Sequence, residues 1–297
     1  QFCRLKRQHM SRRKIIVTGG NGNLGGLAIH SLMNEGYEVL NLDRSISTSQ
    51  ICRTKTIDLC DATSLPQYFD GADAVIHLAG FQAPYEAPHP EVFSNNISAT
   101  YNVMETAVRM GLRRFVNVSS IAVYGFLYSP RFWQPEYLPL NEDYPCAPKD
   151  PYALAKKFGE EIADSFASTS DVSFVTLRIT GINFDLGYSS LPNRWRDPGR
   201  KIGTFWSYID GRDAARALVL AISAIIDGHE IFNIANSESR YPQKTKDLVA
   251  KFLPKTAVRN SVGDYWGGLD ITKSSERLKF NAEYHWRDFI NDHGKPV

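Results

Sequence analysis

The sequence predicts an α/β fold: a doubly wound parallel sheet covered by helices on both faces, followed by a small C-terminal lobe. Three observations predict it. Strand-like and helix-like segments alternate between residues 14 and 179, and such alternation specifies parallel strands joined by helical crossovers. A glycine-rich turn, Thr18-Gly19-Gly20-Asn21-Gly22-Asn23-Leu24-Gly25, directly follows the apolar run Ile15-Ile16-Val17. After Ile179 the pattern gives way to a stretch rich in Gly, Pro, Arg and aromatic residues, 181–208.

Taken in order, strands are expected at 14–18, 38–43, 52–58, 74–78, 114–119 and 173–179. Helices are expected between them at 23–35, 63–69, 90–110 and 151–168. In the first helix Leu24, Leu27, Ala28, Leu32 and Met33 recur at helical spacing, and Gly36 ends it. Asp150 suits the N-cap of the fourth helix, and Pro151 its first helical position. Beyond residue 208 a helix at 211–227 and a strand at 230–234 return to the sheet, so 209–236 belongs with the main domain, 10–180. The smaller lobe then comprises 181–208 and 237–297. Residues 1–9 are polar and basic, lack the apolar run of a secretory signal, and precede Met10-Ser11. They read as an extension outside the fold.

The composition is 43% hydrophobic, 12% aromatic and 22% charged over 297 residues, ample for a large core. The net charge of +2, with no basic run beyond the N-terminal tail, argues against a nucleic-acid partner. No stretch approaches the length of a membrane span. Cys3, Cys52, Cys60 and Cys146 show no metal-ligand spacing and read as free thiols of a reducing compartment. A cytoplasmic location and no metal are therefore expected.

The glycine-rich turn lies between a strand and a helix. Glycines there permit a tight turn and let backbone N–H groups approach a pyrophosphate, while the helix N-terminus adds partial positive charge. Gly19, Gly22, Asn23, Leu24 and Gly25 are thus candidates for holding a dinucleotide, although the spacing Gly19-x-x-Gly22-x-x-Gly25 differs from the common G-x-G-x-x-G. Asp43 ends the second strand, about 20 residues on, where a carboxylate accepts both adenosine ribose hydroxyls. It repels a 2′-phosphate, which favours NAD over NADP. Arg44 follows it and would pair with that phosphate, and Asp43 also suits a plain turn.

A second constellation lies downstream. Tyr152 and Lys156 are four residues apart, hence on one helix face. A phenol has a reference pKa of about 10. A nearby ammonium and a positive nicotinamide ring both favour the phenolate and would bring it toward neutrality. Ser119 and Ser120 end a strand ahead of Ile121-Ala122-Val123-Tyr124-Gly125, where a hydroxyl can hold a substrate oxygen. Asn96, on the preceding helix, is placed to anchor a water or a backbone carbonyl behind the lysine. His77 reads as a neutral, packed histidine at a strand end.

Together these pieces resemble the extended branch of the short-chain dehydrogenase/reductase superfamily, the NAD-dependent epimerase/dehydratase family. The resemblance runs from about Lys14 to Asp288. It also takes in Asp58-Leu59, His77-Leu78-Ala79-Gly80, Leu177-Arg178 and the stretch from Ser207 through Asp210, Asp213 and Arg216. It implies a Rossmann-type NAD-binding domain, with Asp58 and Leu59 at the adenine and Leu78, Ala79 and Gly80 along the nucleotide. It implies Tyr152 as acid/base, Lys156 as its partner and a ligand of the nicotinamide ribose, and Ser120 as holder of the substrate hydroxyl. Ser119 falls beside the cofactor. Pairing through helices 90–110 and 151–168 into a homodimer is the family habit.

The family's dehydratases resemble one another in an Asp-Glu pair after the hydroxyl residue. Here Ile121 and Ala122 stand there, so dehydration is disfavoured. The main expectation is an NAD(P)-dependent oxidoreductase acting at a hydroxyl or keto carbon of a sugar or related small molecule. An epimerase with retained NAD is the alternative, and a non-catalytic dinucleotide sensor a further one. Arg178 resembles the arginine with which uronate dehydrogenases of the family handle a carboxylate; a structural ion pair is the other reading. Arg194, within Asn193-Arg194-Trp195-Arg196, suits an anionic sugar or else a solvated loop. The long segment 126–141, with Arg131, Phe132, Trp133 and Tyr137, reads as a lid or pocket wall.

Overall fold

A computed structural model describes residues 13–46, 51–200, 202–259 and 263–297. The N-terminal extension and Cys3 lie outside the described residues. Seven strands form one parallel sheet: β1 (Lys14–Thr18), β2 (Glu38–Asp43), β3 (Arg53–Thr56), β4 (Ala74–His77), β5 (Arg114–Ser120), β7 (Ser173–Ile179) and β10 (His229–Ile234). Their order across the sheet is β10-β7-β5-β4-β1-β2-β3, so the chain winds outward from β1 in both directions. Two-residue strands β6 (Tyr137–Leu138) and β11 (Ala257–Val258) pair with each other, as do β8 (Ile182–Asn183) and β9 (Ile209–Asp210). The helices are α1 (Asn23–Asn34), α2 (Pro66–Phe69), α3 (His89–Arg109), α4 (Pro151–Ala167), α5 (Pro192–Trp195), α6 (Gly211–Ser223), α7 (Thr245–Phe252) and α8 (Thr272–Arg277).

The strand period of two divides the core. Ile15 and Val17 point to the face covered by α1 and α6, with Ala28, Leu32, Ala217, Leu218 and Ala221. Ile16 and Val75 point to the opposite face, against Val103, Met104 and Ala107 of α3. Small residues on α6 let it lie close to α1. The expected helix at 63–69 is split into a 3-10 turn, Ala62–Ser64, and α2. Asp61 caps the first piece, and Pro66 has no N–H to continue it. The expected helix at 211–227 stops at Ser223, where Ala224 turns extended with ψ 145°, and Arg114 then donates to the carbonyls of Ala224 and Ile226.

A third cluster lies beyond the sheet. Tyr124, Phe126, Leu138, Leu140 and Tyr144 pack with Phe205, Trp206, Leu248, Leu253 and Trp266. Most of segment 126–141 is therefore structural wall: Trp133 stacks near Phe126, and Tyr137 belongs to β6. Its start, Leu127 and Tyr128, lines a cavity.

Candidate active site

A cleft runs across the carboxyl ends of the strands, as expected for a doubly wound sheet. Its two halves share Gly19, Gly22, Leu78, Gly80 and Gln82. Gly19 has φ +74°, and a Cβ there would lie 2.8 Å from the backbone of Ala79, so the turns after β1 and β4 touch. A Cβ on Gly25 would stand 2.4 Å from the Gly19 carbonyl oxygen. Gly22 is the N-cap of α1 and offers no side chain to it. The unfilled first turn of that helix, with Asn23, Leu24 and Gly25, lines the cleft. This cradle, which side chains would fill, fits a pyrophosphate.

One half of the cleft is lined by Asp43, Arg44, Asp58, Leu59, Ala79 and Asn95, among others. The Asp43 carboxylate is buried and clamps two loops. Oδ2 accepts from the Asn21 N–H at 3.0 Å, and Oδ1 accepts from the Ser45 N–H and hydroxyl at 2.9 and 2.8 Å. Arg44 is exposed and lies 5.0 Å from the centroid of the Phe81 ring.

The other half gathers Ser119, Ser120, Tyr152, Lys156, Thr180 and Gly181. Ser120 ends β5, and its Oγ accepts from the Ala122 N–H at 3.1 Å while hydrogen-bonding Tyr152. Burial pushes the Tyr152 phenol up to about 12, with Asp150 and Glu86 adding to it and the Ser120 bond opposing. The expected fall toward neutrality is thus corrected for the chain alone: desolvation outweighs the other influences on the phenol. Burial also pulls Lys156 down to about 8. Its Nζ donates to the Val118 carbonyl at 2.7 Å and sits 5.8 Å from the Tyr152 ring centroid.

His77 is fully buried between the hydroxyls of Thr18, at 2.8 Å, and Thr100, at 3.1 Å. Burial, with Lys156 adding, holds it neutral with a pKa of about 3.

Three candidate site residues do not line the cleft. Asn96 anchors a backbone carbonyl, that of Phe81. It clamps the Phe81 backbone, accepting from its N–H at 2.8 Å and donating to its carbonyl at 3.0 Å. Arg178 does not reach the cleft. It is 3% exposed and bonds Glu160 through Nε and Nη2, at 2.9 and 2.8 Å, with Nη1 on the Tyr124 hydroxyl and the Glu142 carbonyl. Those partners raise its pKa against the cost of burial. Arg194 sits exposed on the short α5, away from the cleft lining. Ser119 lines the cleft with its backbone strand, but its hydroxyl donates to Glu160 at 2.7 Å.

Sequence reasoning passed over Phe81, Gln82, Tyr128, Thr180 and Gly181, all of which line the cleft. Phe81 and Gln82 directly follow the His77–Gly80 motif, and Thr180 and Gly181 follow the carboxyl end of β7, where such sheets bind ligands. Among the described residues no group of three His, Cys, Asp or Glu side chains is placed to hold a metal. Among them, too, no helix is long and apolar enough to cross a membrane.

Comparison with known proteins bears on this cleft. The UDP-glucose 4-epimerase of Bacillus subtilis is 32% identical over 181 residues, 55% of this chain and 51% of that protein. The chain spans about half the length of the curated relatives it matches. A crystal structure of a short-chain dehydrogenase/reductase superfamily protein from Agrobacterium tumefaciens with bound NAD superposes with a TM-score of 0.73. It is 22% identical, and the match covers 95% of this chain and 96% of that one. The UDP-glucose 4-epimerase of Thermotoga maritima with UDP-glucose superposes at 0.70, with 19% identity and coverage of 95% and 97%. These likenesses carry the fold. The model of the NAD dependent epimerase/dehydratase family matches residues 15–182, more than half of the sequence, and the chain belongs to that family.

Proposed function

We propose that the chain is an NAD-dependent epimerase of a sugar derivative, with Tyr152 as its proton-transferring group. The observation that carries this reading is the meeting of Ser120, Tyr152 and Lys156 at the inner end of the cleft, where buried Ile121 and Ala122 follow the serine. That arrangement offers Tyr152 as acid/base and has no carboxylate directly after the serine. It suits exchange of a hydride and a proton at one carbinol carbon, and not expulsion of water. The 4-epimerase activity named for the Bacillus relative supports epimerisation over net oxidation.

Gly19, Gly22, Asn23, Leu24 and Gly25 would hold the pyrophosphate of NAD, and Asp43 the ribose hydroxyls. Asp58, Leu59, Leu78, Ala79 and Gly80 would flank the adenosine. Bound NAD supplies the hydride acceptor. Ser120 orients the substrate oxygen beside Tyr152. The phenolate of Tyr152 takes the hydroxyl proton and returns it after the sugar has presented its other face. Lys156, held by the Val118 carbonyl, keeps positive charge near that oxygen. Phe81, Leu127 and Ile179 wall the site against water.

The same reading divides the chain into an NAD-binding domain, 10–180 with 209–236, and a substrate lobe, 181–208 with 237–297. It also takes two copies to pair through α3 and α4, where Tyr101, Leu154 and Phe158 are exposed.

Mass spectrometry of small molecules released on denaturation tests the proposal. Stoichiometric NAD, with turnover that needs no added cofactor, supports an epimerase. Cofactor-free protein that consumes added NAD and accumulates an oxidised sugar rejects it in favour of a dehydrogenase.

A further inference from the structure

The glycine turn after β1 is flanked on both sides, because β1 lies between β2 and β4 in the sheet. On one side the Gly19 N–H donates to the Leu42 carbonyl at 2.9 Å, and the Asn21 N–H to Asp43 Oδ2 at 3.0 Å. On the other, a Cβ at Gly19 would stand 2.8 Å from the Ala79 backbone. Arg44 follows the first flank and Phe81 the second, yet their side chains meet. The guanidinium carbon of Arg44 lies 5.0 Å from the centroid of the Phe81 ring. Arg44 lines the half of the cleft that holds Asp43 and Asp58, and Phe81 lines the half that holds Tyr152. Their contact therefore bridges the two halves where these adjoin along Gly19, Gly22 and Gly80.

The two partners differ in freedom. Phe81 is buried, and Asn96 holds both its N–H and its carbonyl. Gly80 just before it, at φ +141°, has no room for a Cβ, which would stand 2.8 Å from Asn96 Oδ1. Arg44 is exposed and, among the described residues, makes no ion pair and no hydrogen bond. The carboxylate of neighbouring Asp43 is engaged by Asn21 and Ser45 instead. A guanidinium stacks through its flat face and donates through its edge. Against Phe81, Arg44 thus keeps its N–H donors for another acceptor.

A dinucleotide lying through both halves passes between these flanks, with its pyrophosphate at the glycine turn. We infer that Arg44 folds across bound NAD, stacks on Phe81 and bonds the pyrophosphate through its free edge, so that the pair keeps the cofactor in the cleft between turnovers. The inference rests on the proposed function and names the residues behind its retained NAD. It gives Arg44 a task distinct from pairing with a 2′-phosphate. Arg44 touches the cofactor; Phe81 acts through Arg44 and is a positioning residue. Release requires the guanidinium to leave the ring and the phosphates together.

The rate of NAD release tests this. Protein loaded with radiolabelled NAD is chased with excess unlabelled NAD, and the bound label is followed over time. Wild type, Arg44→Ala, Phe81→Leu and the double variant are compared. Arg44→Ala, at an exposed position, should release NAD about 10- to 100-fold faster, since a charge-assisted contact is lost. Phe81→Leu keeps an apolar side chain and should speed release about two- to fivefold by removing the stack. In the Arg44→Ala background it should add nothing, because the ring acts through the guanidinium. The inference is overturned if Arg44→Ala releases NAD at the wild-type rate. It is also overturned if Phe81→Leu leaves the wild-type rate unchanged, or has the same effect with and without Arg44. Retained NAD without this coupling overturns the Arg44–Phe81 pair alone and leaves the epimerase. Coupled release in wild type that exchanges its NAD at every turnover, and accumulates an oxidised sugar, overturns the epimerase and leaves the pair standing.

Discussion

Arg178 and Glu160 form a two-pronged buried pair, Nε to Oε1 at 2.9 Å and Nη2 to Oε2 at 2.8 Å, joining β7 to α4, the helix that carries Tyr152 and Lys156. Both side chains are withdrawn from solvent, and the Ser119 hydroxyl adds a third bond to the same carboxylate. The pair fixes α4, and with it Tyr152 and Lys156, against the end of the sheet.

Removing Arg178 leaves the buried Glu160 charge with only the Ser119 hydroxyl and, 3.7 Å away, the half-buried Lys157 ammonium. Arg178→Met should therefore destabilise the fold by about 3–5 kcal/mol, read as a lower denaturation midpoint. At a temperature where the variant is still folded, its KM for an anionic substrate should stay within about twofold of wild type. A selective rise in KM with stability unchanged would return Arg178 to the substrate.

Tyr152→Phe keeps the ring and removes the group proposed to take the proton. Turnover should fall roughly 100- to 10,000-fold, while the affinity for NAD, measured by calorimetry, holds. Retained turnover would mean that another group carries the proton and that the Ser120–Tyr152 hydrogen bond is only structural.

Much of this was legible in the sequence, and the limits have physical causes. Strand β2 begins and ends where the alternation placed it, and the glycine turn opens α1, because local rules govern such elements. For Asn96 a backbone carbonyl and for Arg178 a structural ion pair were among the expected roles, but the partner in each case was not. Their partners, Phe81 and Glu160, lie 15 and 18 residues away, and only tertiary packing brings them together.

Asp43 holds the Asn21 N–H of the glycine turn as well as facing the expected ribose position. Asp43→Ala should shift cofactor preference toward NADP, because the charge that repels a 2′-phosphate is gone and Arg44 remains beside it. NAD affinity should fall at the same time, as the turn loses its clamp. Side-by-side titration with NAD and NADP checks this; an unchanged ratio would remove Asp43 from the ribose.

Exposed Phe158 and Tyr101 on the paired helices α4 and α3 are apolar surface that a second copy would cover. Phe158→Glu should convert a dimer to a monomer in analytical ultracentrifugation, with secondary structure by circular dichroism unchanged. A wild-type monomer would show that these rings simply face solvent.

Lys156 gives the chain a characteristic response to pH. Its pKa is drawn down from 10.5 to about 8 in the folded state by burial. Between those values the unfolded chain binds the proton and the folded chain has released it. Stability of the NAD-free protein should therefore rise as the pH is raised from about 8 toward 10.5, by up to about 1 kcal/mol per pH unit. Below 8 both states carry the charge and this contribution is flat. Tyr152 acts in the opposite sense and later, since its pKa is raised from 10 to about 12, so its contribution to stability falls only above pH 10. Denaturant titrations across pH 7–10.5 should show the rise in wild type and its loss in Lys156→Met. A rise that survives in Lys156→Met would mean that the ammonium is solvated in the folded chain, and that its proximity to Tyr152 gives less charge to the phenolate than the cleft geometry implies.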